Sequence, residues 1–154
     1  MTNKHSHYPG FTLFELLIVI AIIAILATLV IVALDPLRQM REARNSARYS
    51  HVNSLSTALY RYVIEKSAFP PGLDATIRQL GSATTGCADS CIGASASCLD
   101  LQPALIDYLA ILPVDPSIGS AFRTGYTIEK NPINNIITVS ACGAEGDKKI
   151  FLMR

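Results

Sequence analysis

The chain has 154 residues, half of them hydrophobic, and a formal net charge of +1. That length allows one small domain plus one long extension, and the mean hydropathy is positive, which is high for a soluble domain. The near-neutral balance gives no reason to expect a surface built for nucleic acid. The sequence also lacks a phosphate loop, a nucleophile elbow and a metal-binding histidine pair, so it offers no basis for an enzyme, a cofactor or a metal.

The apolar excess is concentrated near the N-terminus. From Phe11 to Leu34 the only ionisable side chain is Glu15, among Ile, Leu, Val and Ala. As a helix this run is roughly 36 Å long, enough for a hydrocarbon core of ~30 Å. A removable secretory signal is the first alternative, but such signals have a shorter apolar core and end at small residues spaced A-x-A. Here bulky Ile31 stands near the end of the run. A plain membrane anchor explains the length and hydrophobicity but leaves Glu15 without a reason, since a carboxylate in lipid costs free energy. Cleavage between Gly10 and Phe11 would supply one. It would place a new amine four residues before Glu15, on the same helix face. Pairing between neighbouring chains would make Glu15 a register device, because misaligned docking would strand it in an apolar bundle.

The segment Gly10-Phe11-Thr12-Leu13-Phe14-Glu15-Leu16-Leu17 resembles the class III signal of type IV pilins and type II secretion pseudopilins. The resemblance implies a leader of residues 1–10, cut after Gly10 by a prepilin peptidase that methylates Phe11, with Glu15 setting assembly register. It departs from the family at Pro9, preceded by Tyr8, where Lys or Arg is usual before the glycine. It also implies a pilin fold, α+β, with a long N-terminal helix on a small antiparallel sheet. The implied partners are copies of the chain or other pilins, the peptidase, membrane lipid and inner-membrane assembly machinery.

The membrane and assembly helix is expected over 11–34, and Asp35-Pro36 interrupts it, so a kink is expected at Pro36. An amphipathic stem follows over 35–66, with Leu37, Met40, Ala43, Ala47, Val52, Leu55, Ala58, Leu59, Tyr62 and Val63 mostly three or four apart. Its second half should pack on a head. The arginine-rich first half, with few large apolar residues, is expected near headgroups or against neighbouring subunits, and His51 on the solvated surface. Arg38, Arg41, Arg44 and Arg48 outnumber Lys4 and the α-amine, which by the positive-inside rule favours a cytoplasmic C-terminal side. The cysteines favour the opposite, with the N-terminus cytoplasmic and the head outside; the resemblance implies that the head is later carried on an extracellular filament.

A head of residues 67–154 is too small to cover a helix running from 11 to 66, so lipid or other copies must bury the N-terminal half. Phe69-Pro70-Pro71-Gly72 ends the stem, and Gly81 to Ser97 reads as a loop. Leu101 to Leu112 reads as a short helix stopped by Pro113. Gly125–Lys130, Asn135–Ala141 and Lys149–Met153 read as three antiparallel strands. Leu112-Pro113-Val114-Asp115-Pro116, with Gly119 and Gly125-Tyr126, is similar to the loop-to-sheet segment of major pseudopilins and some type IV pilins.

Cys87, Cys91, Cys98 and Cys142 allow three connectivities. The preferred expectation pairs Cys98 with Cys142 and Cys87 with Cys91; a zinc site is the rival, though the spacing is not that of a zinc ribbon. Related pseudopilins bind calcium in a loop, but Asp115, Glu145 and Asp147 lack a dense alternation of oxygen ligands and read as turn carboxylates. The leading function is a structural subunit of a type IV pilus-like filament. The alternatives are a secretion pseudopilin and a single-pass anchored binding domain that never polymerises. Arg78, Arg123, Lys130, Lys148, Lys149 and Arg154 are only a slight motive for DNA binding.

Overall fold

The computed structural model describes residues 10–154; residues 1–9, which include Pro9, His5, His7 and most of the expected leader, lie outside the described residues. The chain divides into two compact units, one ending at Gln39 and one running from Met40 to Arg154.

The first unit holds helix α1 (Leu13–Leu34) and the opening turn of helix α2 (Pro36–Lys66). No residue of α1 is buried. Its backbone groups are satisfied along the helix while its Ile, Leu and Val side chains point outward all round, the pattern of a segment whose solvent is apolar. Asp35 takes a left-handed conformation (φ 39°) and closes α1. Pro36, whose fixed φ and missing N–H suit a first helical position, opens α2. Side chains repair the break. The Asp35 carboxylate accepts from Arg38 N at 3.3 Å, and Gln39 Nε2 donates to Leu34 O at 2.8 Å.

In the second unit the buried positions of α2 are Asn45, Arg48, Val52, Leu55, Ser56, Ala58 and Leu59. The stripe 45-48-52-55-59 alternates steps of three and four, so one face meets the core. Burying Val52, Leu55 and Leu59 stabilises this docking by about 1.5–3 kcal/mol each, as an upper estimate. The predicted stripe through Met40, Ala43 and Ala47 is displaced: Met40 and Ala43 are exposed, and the polar pair Asn45 and Arg48 faces inward instead.

Among the described residues four antiparallel strands, one more than the sequence suggests, form a meander in the order β1 (Arg78–Gln79), β2 (Tyr126–Lys130), β3 (Ile137–Ala141), β4 (Ile150–Met153). The register pairs Ile128 with Val139 and Val139 with Leu152. Alternation along the strands then sends Tyr126, Ile128, Ile137, Val139 and Ile150 into one core with Val52, Leu55 and Leu59. The fold is α+β, as expected. Strand β1 has only two residues and no alternating pattern, which hides it in the sequence. It is held by Leu80 N to Tyr126 O (2.8 Å), and Gly81 N then bonds Leu99 O (3.1 Å). A side chain at Gly81 would put Cβ 2.1 Å from Phe122 O, so this crossing requires glycine.

The helix predicted over Leu101–Leu112 is shorter. Helix α3 covers Gln102–Leu105 only. Gln102 bends its side chain across the segment, donating to Ala110 O (2.9 Å) and accepting from Leu112 N (2.8 Å). These bonds replace the helical ladder and let Leu105 and Leu112 enter the core from turns.

Candidate functional site

Helix α1 begins with a capping box. Thr12 has extended backbone (φ −80°, ψ 151°), and its hydroxyl accepts from Glu15 N at 3.1 Å. Glu15 Oε2 in turn accepts from Thr12 N at 3.1 Å and from Thr12 Oγ1 at 3.2 Å. Two donors that a helix start leaves orphaned are thereby satisfied within one chain. The sequence reading left Glu15 unexplained without cleavage; the capping box gives it a partner in the uncut chain. Thr12, quoted in the motif without a role, is the residue that reading missed. Its signal was the S/T-x-x-E pattern ahead of an apolar run.

Just before the cap, Gly10 and Phe11 are exposed and outside the helix, Phe11 at 86%. A Cβ added at Gly10 meets no atom within 4 Å, and its φ is not in the left-handed region. The fold of the described residues therefore places no steric demand for glycine here.

Part of the arginine-rich stem does not lie free for lipid or neighbours. Arg48 is wholly buried, side chain 0% exposed, and faces the equally buried Asp115. Its Nε donates to Asp115 Oδ2 at 2.7 Å and its Nη2 to Asp115 Oδ1 at 3.0 Å, a bidentate pair. Nη1 donates to Asn45 Oδ1 (2.9 Å) and Glu145 Oε1 (3.0 Å), and Nη2 also to Ser117 Oγ. All five guanidinium donors thus have acceptors. Arg44 adds a second fork to Glu145, 2.7 and 2.6 Å, while Asn45 exchanges bonds with the Glu145 backbone. Arg38 and Glu42 also have interaction partners.

Electrostatics follow from this geometry. Burial pushes the Asp115 carboxyl up, but hydrogen bonds from Arg48, Ser117 N and Ile118 N outweigh it and hold it below the usual carboxylate range. Hydrogen bonding to Arg44, opposed by desolvation and reinforced by Arg48, lowers Glu145 to about 2. Two of the three acidic residues weighed as calcium ligands are therefore occupied by arginines, which repel a cation. His51 is likewise not a simple surface residue. Its Nδ1 lies 2.7 Å from the Tyr126 hydroxyl, and burial raises the tyrosine pKa.

The disulfides differ from the preferred pairing. Cys87 bonds Cys98, and Cys91 bonds Cys142. The loop folds back on itself, with Cys87 N donating to Ala96 O and Cys98 N to Ala83 O, both 3.0 Å, which sets Cys87 opposite Cys98. The tip at Cys91 is thereby left to reach Cys142, itself fixed beyond β3 by a bond to Gly125 O. With every sulfur in a disulfide, the thiolates that the zinc reading needs are gone. Four of the six basic residues considered for DNA are engaged within the chain: Arg78 pairs with Asp74, Arg123 with Asp89, Lys130 sits over Phe69 and Arg154 over Tyr60.

Within Leu13–Lys66 lies helix long and apolar enough to cross a membrane. No curated protein and no solved structure matches the chain. Residues 6–31 match a family model described as the prokaryotic N-terminal methylation motif, so the chain carries a class III, prepilin-type N-terminus of the kind found in pilin-like and pseudopilin proteins.

Proposed function

We propose that this chain is a structural subunit of a type IV pilus-like filament, cut between Gly10 and Phe11, methylated on Phe11, and polymerised through residues 11–34. The observation that carries this reading is α1 itself: an apolar helix with no buried residue, headed by the methylation motif. Such a surface suits lipid before assembly and neighbouring helices afterwards. Residues 1–10 are then the leader, 35–66 the stem and 67–154 the head. The N-terminus is cytoplasmic and the disulfide-bearing head is outside. Two observations support that orientation. Both disulfides lie in the head, and two of the four arginines that argued for the reverse, Arg44 and Arg48, are neutralised by Glu145 and Asp115. The glycine that the chain's own packing does not require suits a peptidase that must approach Gly10 closely.

Glu15 serves twice. In the uncut chain it closes the cap; after cleavage the Phe11 amine becomes a charged partner, in the same chain or the next. Glu15→Gln separates the roles, because an amide keeps the capping acceptor and removes the charge. The variant, co-expressed with wild-type subunits, is expected to lose most of its incorporation into sheared surface filaments while remaining in the membrane. Incorporation at the wild-type level would end the register mechanism. Leader retained on Phe11 in membrane-extracted wild-type protein, read by mass spectrometry, would favour a plain anchor instead. Mature protein confined to the cell envelope, with none in surface filaments, would favour a pseudopilin.

A further inference from the structure

We infer that the Thr12 cap holds the Gly10–Phe11 peptide bond outside the helix, in a conformation that a peptidase can cut, which makes Thr12 a positioning residue for processing. This inference rests on the processing proposed above. Hydrolysis adds water across one amide: the C–N bond breaks, Gly10 keeps a carboxylate and Phe11 gains an amine. The attacked carbonyl must be reachable. In a helix that started one turn earlier, Gly10 O would accept from Phe14 N and the bond would be wrapped into the backbone ladder.

Three features keep the helix from starting there. Thr12 is extended at ψ 151°, its hydroxyl takes Glu15 N, and Glu15 takes Thr12 N. The helical ladder begins with Leu16 N on Thr12 O at 3.3 Å. Gly10 and Phe11 stay outside the helix and exposed. In water, loss of a cap is answered by fraying. In lipid, fraying would leave more N–H groups without acceptors, so the cheaper response is growth of the helix toward the N-terminus, where the carbonyls of the preceding residues can accept. The spacing then has a chemical meaning: the cap sits one residue past the bond to be cut, so the helix stops just short of it.

The test uses the full-length chain in lipid vesicles with a prepilin-type peptidase, following the rate of leader loss by gel and mass. Thr12→Ser and Thr12→Asn keep a capping acceptor and are expected to be cut within about twofold of wild type. Thr12→Ala and Thr12→Val remove it and are expected to be cut about fivefold more slowly, the factor that an ordinary N-cap is worth. Carbonyl-labelled Gly10, read by solid-state NMR in the same vesicles, should shift toward helical values in the Ala and Val variants only. Equal cleavage of wild type and Thr12→Ala overturns the inference, as does an unmoved Gly10 signal. Equal slowing of Ser, Asn and Ala would assign Thr12 to a direct peptidase contact instead and would also overturn it. If the wild-type chain is not cut at Gly10–Phe11, the processing proposal falls first and the inference falls with it.

Discussion

Arg48→Ala should be among the most damaging single substitutions in the second unit. It leaves Asp115, with no exposed side-chain surface, facing the cavity of the lost guanidinium. The Ser117 and Ile118 amides still donate to Asp115 Oδ1, at 2.9 and 3.1 Å, but Oδ2 loses its partner at 2.7 Å. Glu145 and Asn45 lose their Arg48 bonds as well, although Arg44 still holds Glu145. Removing one side of a buried ion pair costs about 3–5 kcal/mol, because the remaining charge stays desolvated. A unit of this size is stable by only about 6–17 kcal/mol, so the loss is a large share of the total and the ratio of folded to unfolded chain would fall by about two to four orders of magnitude. The melting temperature should drop by about 12–25 °C. Near-ultraviolet circular dichroism of the full chain in detergent, through Tyr126 in the core, would follow it. Arg48→Lys should recover little, since an ammonium cannot make the fork to Asp115 or supply five donors. Replacing Arg48 by Met and Asp115 by Asn together should recover part of the loss, because no buried charge is left over and the amide oxygen still accepts from Ser117 N and Ile118 N. A loss below 1 kcal/mol for Arg48→Ala would refute the argument by showing that water reaches the pair.

The same network predicts an acid limb. Asp115 and Glu145 are lowered in the folded state, so their stabilisation is present above their unfolded values and is lost as pH falls through the folded ones. For Glu145 the window runs from its ordinary 4.5 down to about 2, and urea midpoints should decline across it, with a shallower decline in Arg44→Ala. The two disulfides should differ in worth. By loop-closure entropy the Cys91–Cys142 bridge, spanning 51 residues, contributes about 4 kcal/mol, and Cys87–Cys98, spanning 11, about 3 kcal/mol. Paired serine replacements compared by urea unfolding should rank in that order.

What the sequence revealed and what it hid divide along the range of the interactions. The membrane-length run, the break at Asp35 and strands β2 to β4 were legible because each is written in neighbouring residues: apolar composition, a Pro step, alternation bounded by turns. The helix over Leu101–Leu112 failed because a glutamine side chain captured backbone groups eight and ten residues away, which periodicity cannot register. Two of the four stem arginines turn inward for the same reason at longer range. Arg48 meets Asp115 across 67 residues, and Arg44 meets Glu145 across 101. A hint was present locally, since Asn45 and Arg48 continue the stripe of Val52, Leu55 and Leu59 at the right spacing. An arginine on an apolar stripe is ordinarily placed at a boundary, and only a buried carboxylate elsewhere turns it inward. The disulfide pairing was set by a backbone fold-back at Ala83 and Ala96, outside any cysteine-spacing rule.

The capping box changes how α1 relates to the rest of the proposed mechanism. Sixteen large apolar side chains between Leu13 and Leu34 are exposed in the chain alone. Left in water, each would forgo about 1.5 kcal/mol or more, a total on the order of 20–40 kcal/mol, more than the second unit's whole stability. If the chain is a filament subunit, as proposed, it has no populated state in water between lipid and filament, and its transfer passes from one apolar surrounding directly to the other. Lipid and neighbouring helices are nearly equal as hydrophobic solvents, so that large term cancels in the exchange and small polar terms choose the outcome. Glu15 is the one ionisable group available in α1 to supply such a term. In the uncut chain Thr12 donates twice to one of its oxygens, which weakens the drive to seek a partner. Cleavage would place a cation one residue before the cap, and only then would the carboxylate favour a second copy in register. On the proposed reading, processing is thus more than the removal of a leader: it converts a self-satisfied helix end into one that discriminates between lipid and its own kind.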